Sequence, residues 1–181
     1  MDIAGEVGSG GLAVISDKYR RLNREAHKDP AYGTTAHIHA PFLQGILDRA
    51  QAETLLDYGC GKQTLRAAVT GVDYRGYDPA LPGLDAPPEP ADAVYCGDVM
   101  EHVEPEFTDA VLADVIRLAV KVAVFVICCA PGARVLGDGK PAHRNVHPAE
   151  YWRTKLAAFG RMEEVPGIAK KPEVRIAVWK S

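Results

Sequence analysis

Two glycines and two acids in the first half of the chain have the spacing of a turn that binds a nucleotide-like ligand. A short apolar run ends in Asp57, and Gly59 and Gly61 follow at alternate positions. This pattern predicts a buried strand that breaks into a tight turn, since glycine permits positive φ and lets a ligand approach the backbone. Asp78 closes a second strand-like run, 21 residues after Asp57. That is about the distance at which an acid after the second strand of a βαβ unit reaches a ribose.

A third strand-like run leads into Asp98, Glu101 and His102, which stand at positions i, i+3 and i+4. If this segment makes a helical turn, the three side chains share one face. They would lie at the carboxyl edge of the sheet, where open α/β folds bind their ligands. Two carboxylates and an imidazole can form an acid/base pair or half of a divalent-metal site. His102 is the strongest single candidate, because an imidazole can act as a base at neutral pH.

In this order, the three segments resemble the class I S-adenosylmethionine-dependent methyltransferases, and the resemblance covers about residues 50–130. It implies a Rossmann-like α/β fold with S-adenosylmethionine as the cofactor. The glycine loop would hold the methionine part of the cofactor, and the acid after the second strand would hold the ribose. The cofactor-binding roles implied by the resemblance fall on Asp57, Gly59, Gly61, Asp78 and Asp98.

One position departs from the pattern of that family. Gln63 stands where the family usually has a third glycine. A dinucleotide oxidoreductase needs that glycine for close helix–strand packing beside a pyrophosphate. Since S-adenosylmethionine has no pyrophosphate, the departure disfavours an NAD-type protein more than a methyltransferase. A non-catalytic protein that keeps the cofactor cleft is a further alternative.

Composition sets limits on the class of protein. The chain has 181 residues, of which 47% are hydrophobic and 25% charged, as expected for one α/β domain. The net charge is −3 and the pI about 6.1, which disfavours binding to duplex nucleic acid. The most apolar run is too short to span a bilayer, and no secretion signal is evident, so we expect a cytoplasmic protein.

The pattern of apolar residues and breakers predicts six strands and five helices, and the resemblance implies that the strands form a mostly parallel central sheet with a C-terminal antiparallel hairpin. Residues 79–90 contain five prolines, a density that excludes a regular helix or central strand, so we expect the third βα unit to be shortened to a loop. The predicted organisation is a flexible tail (1–15), an N-terminal helical cap (16–50) and a Rossmann-like core (51–181). The predicted strands lie at about 53–57, 73–77, 91–96, 122–127, 161–168 and 173–179, and the helices at about 16–27, 41–50, 62–69, 105–119 and 148–159.

The acid–histidine turn also resembles the small-RNA 3′-terminal 2′-O-methyltransferases. In that family a Glu-x-x-Glu-His turn and a later histidine bind one metal ion against the terminal ribose. Glu101 and His102 match this motif, Asp98 replaces the first glutamate, and His147 is the nearest later histidine. The spacing from His147 to Trp152 differs from that of the family, and the basic RNA-binding extension is missing.

We therefore expect a metal-free methyltransferase in which His102 and Glu101 are the catalytic residues. The expected acceptor is a small molecule or an exposed sugar hydroxyl or amine. The alternatives are a metal-dependent 2′-O-methyltransferase of an RNA 3′ end and a non-catalytic S-adenosylmethionine-binding protein.

Overall fold

The structure is a computed structural model that describes residues 13–166 and 172–180, and six strands within them form one sheet. In chain order the strands are β1 (Thr54–Tyr58), β2 (Asp73–Tyr77), β3 (Ala91–Gly97), β4 (Ala119–Cys128), β5 (Arg161–Glu164) and β6 (Glu173–Trp179). Their order across the sheet is β2-β1-β3-β4-β6-β5. The first four are parallel neighbours, whereas β6 pairs antiparallel with β4 and with β5. The predicted mostly parallel sheet with a C-terminal hairpin is confirmed.

In the part of the chain that the structure describes, four α-helices accompany the sheet: α1 (Asp17–Ala26), α2 (Ala40–Ala50), α3 (Thr108–Leu118) and α4 (Ala149–Ala157). Short 3-10 helices at Ala36–His39 and Pro105–Phe107 lead into α2 and α3. α1 begins where the Ser16 side chain accepts a hydrogen bond from the Tyr19 amide, which satisfies one of the unpaired donors of the first turn. None of the described helices has the length and apolar character needed to cross a membrane.

The helix predicted at about 62–69 is wrong. Successive turns occupy this segment, and Gln63 has a φ of +54°, in the left-handed region that a right-handed helix cannot contain. The amide of Gln63 bonds to the Cys60 carbonyl, and that of Arg66 to the Gln63 carbonyl. These turns carry the chain to Gly71, and the one bond of α-helical spacing among them, from the Val69 amide to the Leu65 carbonyl, is not continued into a helix. Residues 79–90 also form turns and irregular structure, which confirms the shortened third βα unit.

The sheet has an apolar layer on each face. Successive side chains of a strand point to opposite faces, so Leu55 packs in the cluster that contains Leu43 of α2. Leu56 packs in the cluster that contains Val111 of α3. Each such buried aliphatic side chain stabilises the fold by about 1.5–3 kcal/mol. The two layers hold the carboxyl ends of β1, β2 and β3 side by side at one edge of the sheet.

The described residues cover the predicted tail only in part. Residues 1–12 lie outside them, as do residues 167–171 between β5 and β6. Val14 packs against the main core, and Ile15 packs against a small cluster formed by Tyr19, Leu136 and Ala142.

Candidate active site

The glycine loop after β1 forms part of a cleft of about 780 Å³, open mouth included, at the carboxyl edge of the sheet. Gly59 has a φ of +79° and Gly61 a φ of +48°, so both adopt the left-handed conformation that favours glycine. A Cβ on Gly59 would fall inside the van der Waals shell of Val99 Cγ2, and a Cβ on Gly61 would lie 3.0 Å from the Gly33 carbonyl oxygen. Val99 and the Gly33 carbonyl therefore pack against the glycine loop on two sides, and its remaining side faces the cleft.

Asp78 lines the same cleft and is linked to the glycine loop. One carboxylate oxygen accepts a hydrogen bond from the Gly61 amide (3.2 Å) and the other from the Ala80 amide (2.9 Å). Burial raises the pKa of Asp78, and the neighbouring His27 imidazole counteracts this rise. Burial likewise lowers the pKa of His27, against the pull of the Asp78 charge. The carboxylate thus lies where an acid can accept hydrogen bonds from a ligand in the cleft.

Asp57 is buried beneath the loop and is not among the residues that line the cleft. Its carboxylate accepts a hydrogen bond of 2.6 Å from the Tyr74 hydroxyl. Burial raises the pKa of Asp57 to about 7, and the charge of Asp78 adds to the rise. The side chain supports the loop from behind.

The N-terminal cap covers the glycine loop through residues 27–35. The amide of Lys62 donates to the Gly33 carbonyl (3.2 Å), and the Lys62 ammonium donates to the His27 carbonyl (2.6 Å). The His27 and Tyr32 rings meet edge to face, 4.8 Å apart, and both line the cleft. The cap therefore contributes one wall of the cleft.

Asp98 does not share a face with Glu101 and His102. Its φ is +54°, so the helical turn begins only at Val99, whose carbonyl accepts hydrogen bonds from the amides of His102 and Val103. The Asp98 carboxylate accepts a hydrogen bond of 2.6 Å from the Thr35 hydroxyl and lies 3.6 Å from His39 Nε2. The predicted common face is therefore wrong for Asp98, which instead ties the turn to the cap. Asp98 is also not among the residues that line the cleft.

Glu101 and His102 lie beside His143 of the long loop after β4. One ligating atom from each of the three lies within 4.8 Å of those of the other two. The His102 and His143 rings are 4.7 Å apart, edge to face. Burial raises the pKa of Glu101 to about 8, and the Asp98 charge adds to this rise. Burial lowers the pKa of His102 to about 4, helped by His143, so the imidazole is neutral at pH 7.

His147, the later histidine selected from the sequence, is held elsewhere. Its Nε2 lies 3.0 Å from the Asn145 side-chain oxygen, and its ring stacks on Tyr151 at 3.8 Å. Asn145 in turn donates to the Met100 carbonyl and to the Thr108 hydroxyl. The structure therefore brings His143, and not His147, to the acid–histidine turn.

No protein-family model and no curated protein matches the sequence. Solved structures do match the fold. Magnesium protoporphyrin IX methyltransferase from Synechocystis PCC 6803 with bound SAH aligns with a TM-score of 0.59 and 16% identity, over 91% of this chain and 97% of that chain. Burkholderia thailandensis 1,6-didemethyltoxoflavin-N1-methyltransferase aligns with a TM-score of 0.63 and 16% identity, over 97% and 93%. The methyltransferase domain of bacterial CtHen1-C aligns with a TM-score of 0.54 and 13% identity, over 78% and 96%.

The chain has the class I methyltransferase fold.

Three residues of the site were not assigned to it from the sequence, namely His27, Gly33 and His143. His27 lies beside Asp78 because the N-terminal cap folds over the glycine loop. Gly33 lies in a turn whose sequence is ordinary for turns. His143 is visible in the sequence as a loop histidine, but nothing in its spacing ranks it above His147. A contact between segments far apart in the sequence leaves no local periodicity. Pattern analysis therefore could not assign any of these three residues to the site.

The buried carboxyl of Asp57 leads to a prediction about stability. Its pKa is about 7 in the fold and near 3.8 in the unfolded chain, so between these values the native state binds more protons. The free energy of unfolding contributed by this group therefore falls as pH rises from about 4 to 7, and levels off above that. Relative to the wild type, Asp57→Asn should gain about 1–3 kcal/mol between pH 4.5 and pH 8. Urea unfolding at both pH values measures this, with the exposed Asp85→Asn as control; parallel curves for wild type and Asp57→Asn would contradict it.

Proposed function

We propose that the protein is an S-adenosylmethionine-dependent methyltransferase that acts on a small molecule or on an exposed sugar hydroxyl or amine. The observation that carries the proposal is one cleft, in the methyltransferase fold, that is lined by Gly59, Gly61, Asp78 and His102. The first three are suited to hold a cofactor. The fourth is a neutral imidazole suited to work on the acceptor.

The residues present fit this cofactor. At Gly59 and Gly61 the backbone is bare where any side chain would collide with Val99 or with the cap. Asp78 keeps unused lone pairs on both oxygens beyond the amides of Gly61 and Ala80, and these can accept from ribose hydroxyls. The bound cofactor supplies a methyl group already activated on a sulfonium. The chain has no need to activate it further and mainly has to align the acceptor with it.

His102 is placed to handle the acceptor. Its Nδ1 lies 3.1 Å from the Ala142 carbonyl oxygen, which can only accept, so Nδ1 carries the proton and Nε2 keeps its lone pair. An acceptor that must lose a proton on methylation can transfer it to that lone pair. Tyr32 packs edge to face against His102, with ring centres 6.2 Å apart, and restricts its orientation.

Binding of S-adenosylhomocysteine tests the cofactor assignment. Calorimetry should give a dissociation constant in the micromolar range or below, a free energy on the order of −8 kcal/mol. Asp78→Ala should weaken binding by about 1.5–3 kcal/mol, the contribution of hydrogen bonds to a charged group. Asp85→Ala, an exposed acid of the following loop, is the matched control and should bind as the wild type does. Binding of NADH without binding of S-adenosylhomocysteine would refute the assignment.

A second candidate is 2′-O-methylation of an RNA 3′ end, supported by the cluster of Glu101, His102 and His143 and by the likeness to the CtHen1-C methyltransferase domain. The two candidates separate in a transfer assay with a labelled methyl group. A short single-stranded RNA with free terminal hydroxyls is compared with the same RNA ending in a 2′-deoxynucleotide, and with a mixture of small metabolites. Label that depends on the terminal 2′-hydroxyl supports the second candidate, and label only in metabolites supports the first. A protein that binds S-adenosylhomocysteine but labels nothing matches the non-catalytic alternative.

A further inference from the structure

Two clefts meet at the pair of histidines. His102 lines the cofactor cleft, whereas His143 lines a second cleft with Lys18, Lys140 and Arg144 among its walls. Tyr19 and Glu104 line both. A group bound between the two imidazole rings would therefore lie where the two clefts meet.

Both histidines are held by backbone carbonyls through the same ring atom. His102 Nδ1 lies 3.1 Å from the Ala142 carbonyl oxygen, and His143 Nδ1 lies 2.8 Å from the Ala130 carbonyl oxygen. Since a carbonyl only accepts, each Nδ1 carries a proton and each Nε2 keeps a lone pair. A hydrogen bond from one ring nitrogen to a carbonyl is what fixes the tautomer and orientation of histidines that bind metal ions.

Glu101 supplies the third candidate ligand. The residue is 1% exposed, and its Oε1 accepts a hydrogen bond of 3.3 Å from the Cys128 amide. Its Oε2 is buried and has no hydrogen-bond partner. A buried carboxylate oxygen without a partner is costly in free energy, and a cation would compensate this cost. Asp98 accepts a hydrogen bond from Thr35, lies 3.6 Å from His39 Nε2 and is not a member of this cluster.

We propose that Glu101, His102 and His143 bind one divalent first-row transition-metal ion at the junction of the two clefts. This differs from the metal-free expectation drawn from the sequence and from the ligand set that the small-RNA methyltransferases imply, since Asp98 and His147 take no part. Two imidazoles and one carboxylate favour Mn²⁺, Co²⁺ or Zn²⁺ over Mg²⁺ or Ca²⁺, which prefer oxygen ligands. Three protein ligands leave coordination positions open, as in catalytic metal sites.

The metal site narrows the acceptor class to hydroxyls, an inference that rests on the proposed methyl transfer. Glu101, His102 and His143 would hold an ion with open positions, which would act as a Lewis acid and lower the pKa of a hydroxyl proton of the acceptor, as it does for water. The hydroxyl then releases its proton to solvent, its oxygen forms a bond to the methyl carbon, and the bond from that carbon to the sulfonium sulfur breaks. The products are a methyl ether, S-adenosylhomocysteine and a proton. His102 acts in this scheme as a ligand and not as a base.

Cobalt binding tests the site without any assay of activity. Protein stripped with a chelator is titrated with CoCl₂, and bound Co²⁺ is followed by its visible absorption and by calorimetry. We expect one ion per chain, with His143→Ala lowering the affinity at least about 10-fold. His147→Ala is the matched control, because it removes a histidine of the same loop that lies outside the cluster, and it should bind Co²⁺ as the wild type does.

Binding of S-adenosylhomocysteine is measured on every variant to verify the fold and to separate this proposal from the proposed function. Loss of Co²⁺ in His143→Ala, with S-adenosylhomocysteine affinity retained, supports the metal site. Failure of the wild type to bind Co²⁺, or equal binding by the wild type and His143→Ala, overturns it and leaves the cofactor assignment intact. If His143→Ala does not fold, His143→Gln takes its place, and the same two outcomes apply. Absence of S-adenosylhomocysteine binding in the wild type would instead overturn the proposed function.

Discussion

Gly59→Ala should lower the affinity for S-adenosylhomocysteine by more than about 100-fold, the effect of roughly 3 kcal/mol. Two costs act together. A φ of +79° is unfavourable for any residue with a Cβ, by about 1–2 kcal/mol. The added carbon would also collide with Val99 Cγ2, so either the glycine loop or the acid–histidine turn must shift. The collision is with the protein itself, so the loss arises from displacement of the cofactor loop.

The chain offers a control that separates the two costs. Gly71 has a φ of +74°, and a Cβ there would meet nothing within 4 Å. Gly71→Ala should therefore lose stability without losing affinity. Val99→Ala removes the obstructing methyl groups, so the double variant Gly59→Ala/Val99→Ala should recover part of the lost affinity, and calorimetry on the four proteins measures the coupling. Equal affinity in Gly59→Ala and the wild type would show that the loop does not hold the cofactor.

His102→Ala should lower turnover by about 10²–10⁴-fold while the affinity for S-adenosylhomocysteine changes little. The expectation holds whether the imidazole accepts a proton or binds an ion, since both roles act on the acceptor. Because burial holds the pKa of His102 at about 4, the imidazole is neutral throughout the neutral range. Protonation of this group should therefore not reduce the turnover of the wild type between pH 8 and pH 6.

His37→Ala is the matched control for this prediction. His37 is an exposed histidine of the cap whose Nδ1 lies 2.9 Å from the nearby Thr34 carbonyl oxygen, and its substitution should leave turnover unchanged. Initial rates of S-adenosylhomocysteine formation across pH 6–8 measure both variants and the wild type. Turnover of His102→Ala within twofold of the wild type would remove this residue from the candidate site.

The parts of the fold that follow from local chemistry were predicted well. β1, β2 and β3 were predicted from strand-like runs next to Asp57, Asp78 and Asp98, and the prolines of residues 79–90 exclude a further strand. The helix expected at about 62–69 is replaced by turns, and Gln63 near its start has a left-handed backbone. Its side chain lies beside Gly76, where a Cβ would come within 3.1 Å of the Gln63 amide oxygen, so tertiary packing accompanies a backbone conformation that propensity disfavours.

The site was predictable only where its residues lie on one turn or at the ends of adjacent strands. Gly59, Gly61 and Asp78 lie on adjacent strand ends, so the parallel sheet alone brings them together. His143 reaches Glu101 and His102 through a loop of about 20 residues after β4, and no rule of spacing fixes where such a loop returns. Asp98 falls outside the helical turn because its φ is +54°, and the sequence pattern does not predict that backbone conformation.

The shortened third βα unit has a consequence for self-association. It leaves β2 as an edge strand, so among the described residues one side of its backbone has no partner strand. An edge strand can pair with the same strand of another copy of the protein, and charged side chains are the usual protection against that pairing. β2 carries Asp73 and Arg75 on one face, with 3.8 Å between their charged groups. The two charges therefore protect this edge of the sheet against pairing with a second copy.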